Sequence, residues 1–194
     1  MIKPDAKELY HKHIKELNGS WCPVPWGQVS VHNSGEYRAC IQARSCKKTK
    51  GILKDDAGNI MRADTHNIDD VRNAPLLKDV RKSMLNGVQH EMCVRCNRED
   101  KNDVPSRRRN AIIEYYDKYN YDYWKAVSHC HEDGQLMLHE SDVLEYDIRL
   151  GNLCNLRCKM CHPSESTQWY DEWFDTMFKG FKSDFTQVEM IKEK

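Results

Sequence analysis

With 194 residues the chain has room for one or two domains. Its 30 basic and 30 acidic residues cancel, so it lacks the global field of a nucleic-acid or anionic-membrane binder. No apolar run is long enough to span a bilayer, and neither nucleic acid nor membrane is expected as a partner. The nine cysteines follow an N-terminus, MIKPDAKELYHKH, that has no apolar signal core, which points to a cytoplasmic protein whose thiols bind metal rather than form disulfides.

In chain order, Asp5 is expected to cap a short helix carrying Leu9, Ile14 and Leu17, closed by Gly19. Val29 and Val31 then alternate with polar neighbours, Asn33-Ser34-Gly35 reads as a turn, and Glu36 to Cys40 reads as the returning strand of a β-hairpin. Residues 44–66 are charged and read as a loop, with one short strand at Ile60–Met61. Asn73 and Pro75 open a helix with Leu76, Leu77, Val80, Met84 and Leu85 on one face, and Gly87 closes it. Cys93 and Cys96 form a C-x2-C pair. Ser106 starts a further helix through Ile112, Ile113 and Tyr116, and residues 129–135 read as a turn before a short strand at Leu136 and Leu138. Leu144, Tyr146, Ile148 and Leu150 alternate with Glu145, Asp147 and Arg149, the period of a strand. Pro163 with Ser164 or Ser166 starts a last helix, on which Trp169, Tyr170, Trp173, Phe174, Met177 and Phe178 share helical spacing up to Gly180.

Between that strand and that helix lies CNLRCKMC, in which Cys154, Cys158 and Cys161 follow a C-x3-C-x2-C pattern. Three thiolates on so short a loop can hold three corners of an iron–sulfur cube and leave the fourth iron open to an exchangeable ligand. A zinc site or three buried thiols are the plainer alternatives, although zinc usually draws on two paired knuckles. A second set is more dispersed: Cys22 and Cys40 stand near the ends of the hairpin in a C-x12-G-x4-C frame with Gly35, and Cys93 and Cys96 follow after a long gap. Four thiolates would close either a cluster or a zinc site.

On these residues the chain resembles the radical S-adenosylmethionine (radical SAM) superfamily. The strand, cysteine loop and helix resemble the first βα unit of a radical SAM barrel. The dispersed set resembles the auxiliary-cluster frame of SPASM and twitch domains; a SPASM domain would carry another cysteine where Asn102 stands, so the single-cluster twitch form fits better. The resemblance implies an α+β fold, with a hairpin and helices around a four-cysteine site in residues 1–140. Residues 141–194 would then be the start of an α/β, partial TIM-like barrel. It also implies a SAM-binding 4Fe–4S cluster on Cys154, Cys158 and Cys161, an auxiliary 4Fe–4S cluster on Cys22, Cys40, Cys93 and Cys96, and S-adenosylmethionine beside Asn155 and Met160. The family often has an aromatic residue where Met160 stands. The implied reaction is reductive cleavage of S-adenosylmethionine, served by a one-electron reductant, followed by hydrogen abstraction from a substrate, with a peptide or protein as the family-level expectation. The rival is a non-enzymatic iron–sulfur electron carrier or a zinc-stabilised binding module.

A complete barrel of this kind runs to about 250 residues, so this sequence is expected to be an incomplete enzyme. It would be a fragment, or one half of a split enzyme whose partner chain completes the barrel, with Trp169, Trp173 and Phe174 left exposed. The remaining candidates read more plainly. Cys46 is expected as a spare thiol, Cys130 as part of a surface turn, and Arg107, Arg108 and Arg109 as a solvated basic face. Glu99 and His162 stand near the cysteine loops as candidate supporting groups.

Overall fold

A computed structural model describes residues 19–178 of the chain. The helix expected over Leu9–Leu17 lies outside the described residues, as does Gly180. The chain divides after Arg149 into two compact units.

The first unit is α+β and is built on a three-stranded mixed sheet in the order β2-β1-β3. Strands β1 (Gln28–Val31) and β2 (Tyr37–Arg38) form the expected antiparallel hairpin, with Ser30 opposite Arg38 and Val31 opposite Tyr37. Gly35 has φ of +86°, a conformation that L side chains rarely adopt, and its N–H donates to the His32 carbonyl at 2.7 Å. The segment after β2 folds back on the hairpin through single bridges rather than a strand: Ile52 meets Arg38, Ile60 meets Lys54, and Arg62 meets Glu36.

Strand β3 (Glu145–Ile148) runs parallel to β1, with Val29 opposite Tyr146. Parallel neighbours need a long crossover, and here the crossover contains most of the unit's helices. The division at 140/141 expected from sequence therefore falls before the one seen, because β3 joins the sheet of the N-terminal unit. The period of two is present in β3, but its sense is inverted. Tyr146 and Ile148 are exposed while Glu145 and Asp147 are half-buried. Their carboxylates are drawn inward by Arg107 and by the Ser30 hydroxyl, which donates to Asp147 at 3.1 Å.

The first helix, α1 (Val24–Gly27), is one buried turn directly after Cys22 and Pro23, too short to leave a periodic signal in the sequence. Next come α2 (Ile68–Arg72), capped by Asn67, and α3 (Pro75–Leu85). Ala74, not Asn73, occupies the position before α3. The Asn73 amide instead donates to the Leu136 carbonyl and accepts from the Leu136 N–H. Helices α4 (Val94–Lys101), α5 (Arg107–Tyr119) and α6 (Tyr123–Ser128) complete the layer. Ser106 caps α5 by accepting the Arg109 N–H at 3.0 Å, as the sequence suggests.

The core holds Trp21, Trp26, Leu53, Val80, Met84 and Tyr115. In its midst lies Arg81, fully buried, where the periodicity of α3 expected only apolar contacts. Its guanidinium donates to the carbonyls of Gly134 (2.7 Å), Pro25 (2.8 Å) and Arg72 (2.9 Å) and to Asn73 Oδ1 (3.0 Å), joining four segments through one side chain. Gly134 is required in the 129–135 turn. Its φ is +88°, and a Cβ there would sit 2.0 Å from the Lys78 carbonyl oxygen.

The second unit contains the cysteine loop, a 3-10 turn at Thr167–Trp169 and helix α7 (Tyr170–Phe178). Ser166 caps the turn by accepting the Gln168 N–H. Trp169, Trp173 and Phe174 are half-buried rather than exposed. The Trp169 indole donates to the Cys158 carbonyl at 3.1 Å, and Trp173 packs edge-on against His162 with ring centres 4.6 Å apart.

Candidate metal centre

Three segments deliver the dispersed thiols to one place. Cys22 precedes α1, and Cys40 ends the hairpin at the start of a 3-10 turn over Ile41–Ser45. Cys93 closes a second 3-10 turn, Glu91–Cys93, and caps α4, whose first turn carries Cys96. Helix α4 packs on both 3-10 turns and they pack on each other. As a result Cys22, Cys40, Cys93 and Cys96 all line a single cavity, with Met84, Met92 and the guanidinium-bearing Arg107 and Arg108 among the other walls.

Burial dominates the chemistry of these thiols. It raises the Cys22 pKa well above that of a free thiol, that of Cys40 to about 11 and that of Cys93 to about 12; Cys96 is raised too. The Cys22, Cys40 and Cys93 thiols are also raised by one another or by Cys96, since a second nearby thiolate would be a like charge. The metal-free site therefore holds neutral thiols at neutral pH, and any metal that binds must displace their protons.

The donor set is four soft sulfurs, which suits an iron–sulfur cluster or zinc. The cavity is small, about 20 Å³, on the order of one water. Among the described residues no group of three or more His, Cys, Asp and Glu side chains is placed to hold a single metal ion. A buried donor without an acceptor also belongs to a wall of this cavity: the Arg107 Nε–H has no partner. A sulfur-rich anionic group is the kind of acceptor it lacks.

The basic run at 107–109 is not the solvated face expected from its charge. The Arg107 guanidinium donates to both Glu145 oxygens (2.7 and 2.8 Å) and to Glu114 (3.0 Å). Arg108, almost wholly buried, donates to Asp100 and Asn97. The only sequence signal for this was the Ser106 cap, which fixes where α5 begins and hence which arginines turn inward. Cys46 is buried, beside Cys93. Burial pushes its pKa up, but the Thr49 hydroxyl, which donates to its sulfur at 3.5 Å, and nearby backbone N–H groups together outweigh that and pull the pKa down. Cys130 is half-buried next to Arg81 rather than lying on the surface. Glu99 pairs with Arg95 at 2.8 Å on an exposed stretch of α4.

In the second unit Cys154, Cys158 and Cys161 share one loop, with Cys158 exposed and the other two half-buried. The loop is held by its own backbone: the Cys161 N–H donates to the Cys158 carbonyl and the Leu156 N–H donates to the Cys154 sulfur. The Asn152 amide donates to the Tyr170 hydroxyl at 2.7 Å, and the Ser166 hydroxyl donates to the Leu156 carbonyl at 2.8 Å, fastening the loop to the helical segment. Desolvation, and after it the neighbouring Cys158 and Cys154 thiols, raise the Cys161 pKa. Asn155 and Met160 are exposed, Met160 by 93%. His162 bonds with the Ser164 hydroxyl as well as packing on Trp173. Compared with known proteins, the chain matches no family model, no curated protein and no solved structure.

Proposed function

We propose that the chain is an iron–sulfur protein of the radical SAM type. Cys154, Cys158 and Cys161 would hold a 4Fe–4S cluster with one iron open to S-adenosylmethionine, and Cys22, Cys40, Cys93 and Cys96 would hold an auxiliary cluster. When bound and reduced, the first cluster supplies one electron that splits S-adenosylmethionine into methionine and a 5′-deoxyadenosyl radical, which takes a hydrogen atom from the substrate.

The observation that carries the reading is the convergence of Cys22, Cys40 and the Cys93/Cys96 pair on one cavity from three separate segments. These are the four cysteines, out of nine, that match the auxiliary-cluster frame, and nothing in their spacing alone requires Cys22 to meet Cys93. The chain's own contribution is to keep the thiols dry and protonated until metal arrives, and to place two arginines against them. On the loop, Asn155 and Met160 are free to meet a nucleotide because their side chains are exposed. An external one-electron reductant and a peptide or protein substrate complete the proposal. A partner chain that supplies further barrel strands belongs with it, since the exposed side chains of β3 leave an apolar edge uncovered.

The test is spectroscopic. After anaerobic reconstitution and reduction, adding S-adenosylmethionine should change the electron paramagnetic resonance signal of one cluster and leave the other untouched. Cys158→Ala should abolish the responsive signal alone. A reconstituted chain whose spectrum ignores S-adenosylmethionine overturns the reading.

A further inference from the structure

We infer that Arg107 tunes the auxiliary site electrostatically, acting as a positioning residue that raises the reduction potential of whatever cluster Cys22, Cys40, Cys93 and Cys96 hold; this rests on the function proposed above. Three observations converge on it. Arg107 lines the four-cysteine cavity. Its Nε–H is buried and has no acceptor, although its other nitrogens are taken up by Glu145 and Glu114. Its charge also acts on two of the thiols, Cys22 and Cys40.

A cluster gains one negative charge on reduction. A fixed cation at the wall, with a spare N–H to give to sulfur, favours that reduced state. Glu145 opposes it. That carboxylate neutralises part of the Arg107 charge and is itself held by the Tyr115 hydroxyl at 3.0 Å. Arg108 acts on the other two thiols, Cys93 and Cys96, but has no spare Nε–H, because Asp100 accepts from it. Glu145 is the first residue of β3, so the same ion pair anchors to the auxiliary site the strand that leads toward the cysteine loop.

The signature is a pair of shifts of opposite sign. In full-length protein carrying Ala at positions 154, 158 and 161, so that only the auxiliary cluster remains, the midpoint potential is measured by titration with a one-electron reductant. Arg107→Gln should make reduction about tenfold less favourable, a drop of about 59 mV for one electron. Arg107→Lys should restore most of it, and Glu145→Gln, which removes the opposing charge and keeps one acceptor oxygen for the Tyr115 hydroxyl, should move the potential upward. If Arg107→Gln does not fold, Glu145→Gln and Arg107→Lys still give the sign. Iron bound with unmoved potentials, or shifts of the same sign in Arg107→Gln and Glu145→Gln, overturns the inference alone. A protein that binds no iron at this site overturns the parent reading and the inference with it.

Discussion

At the residue scale the site is defined by thiols that the fold keeps neutral. Burial holds the folded-state pKa values of Cys40 and Cys93 at about 11 and about 12, against 9.0 for an unperturbed thiol. Between those values the unfolded chain has released protons that the folded chain still holds, so stability is full below pH 9 and is lost as pH rises toward 12. The metal-free protein is therefore expected to unfold at lower urea concentration at pH 10 than at pH 8.5. Replacing Cys40 and Cys93 with Ser should flatten that dependence. Equal urea midpoints at the two pH values would mean that the thiols are not buried as described. Cysteine positions were legible in the sequence because their spacing is chemical. For the inward turn of Arg107 and Arg108 the sequence holds only the Ser106 cap, since a run of three arginines by itself carries no mark of which way each one faces.

At the element scale, local signals fared best where a cap or a turn residue fixed the geometry. Ser106 and the Asn33-Ser34-Gly35 turn were readable because each satisfies a specific backbone demand. Asn73 does not open the helix because its side chain serves the distant turn that ends at Leu136, where a single bridge to Cys130 stands in place of the expected strand. Strand β3 shows the limit of periodicity. Alternation locates a strand but does not say which face is covered, and here Arg107 pulls the polar face inward. Ile148→Thr should consequently change stability by no more than about 0.5 kcal/mol, as for other exposed positions. Ser106→Ala, which orphans the Arg109 N–H, should cost about 1 kcal/mol. Urea unfolding of both variants checks the contrast, and a larger loss for Ile148→Thr would show that β3 is covered after all.

At the scale of the whole molecule, the two cysteine sets belong to different compact units, one on each side of Arg149. The resemblance implies a boundary at 140/141, ahead of β3, because nothing local reveals that residues 145–148 pair with a strand more than a hundred positions earlier. The central claim is that there are two independent cluster sites, each with its own ligands. Iron and acid-labile sulfide counted per chain after anaerobic reconstitution test it most directly. The account predicts about eight irons and a matching amount of sulfide in the unaltered chain. Either Cys154→Ala/Cys158→Ala or Cys22→Ala/Cys93→Ala should retain about half. Zinc without sulfide in place of iron, or a variant of one set that empties both sites, would contradict it.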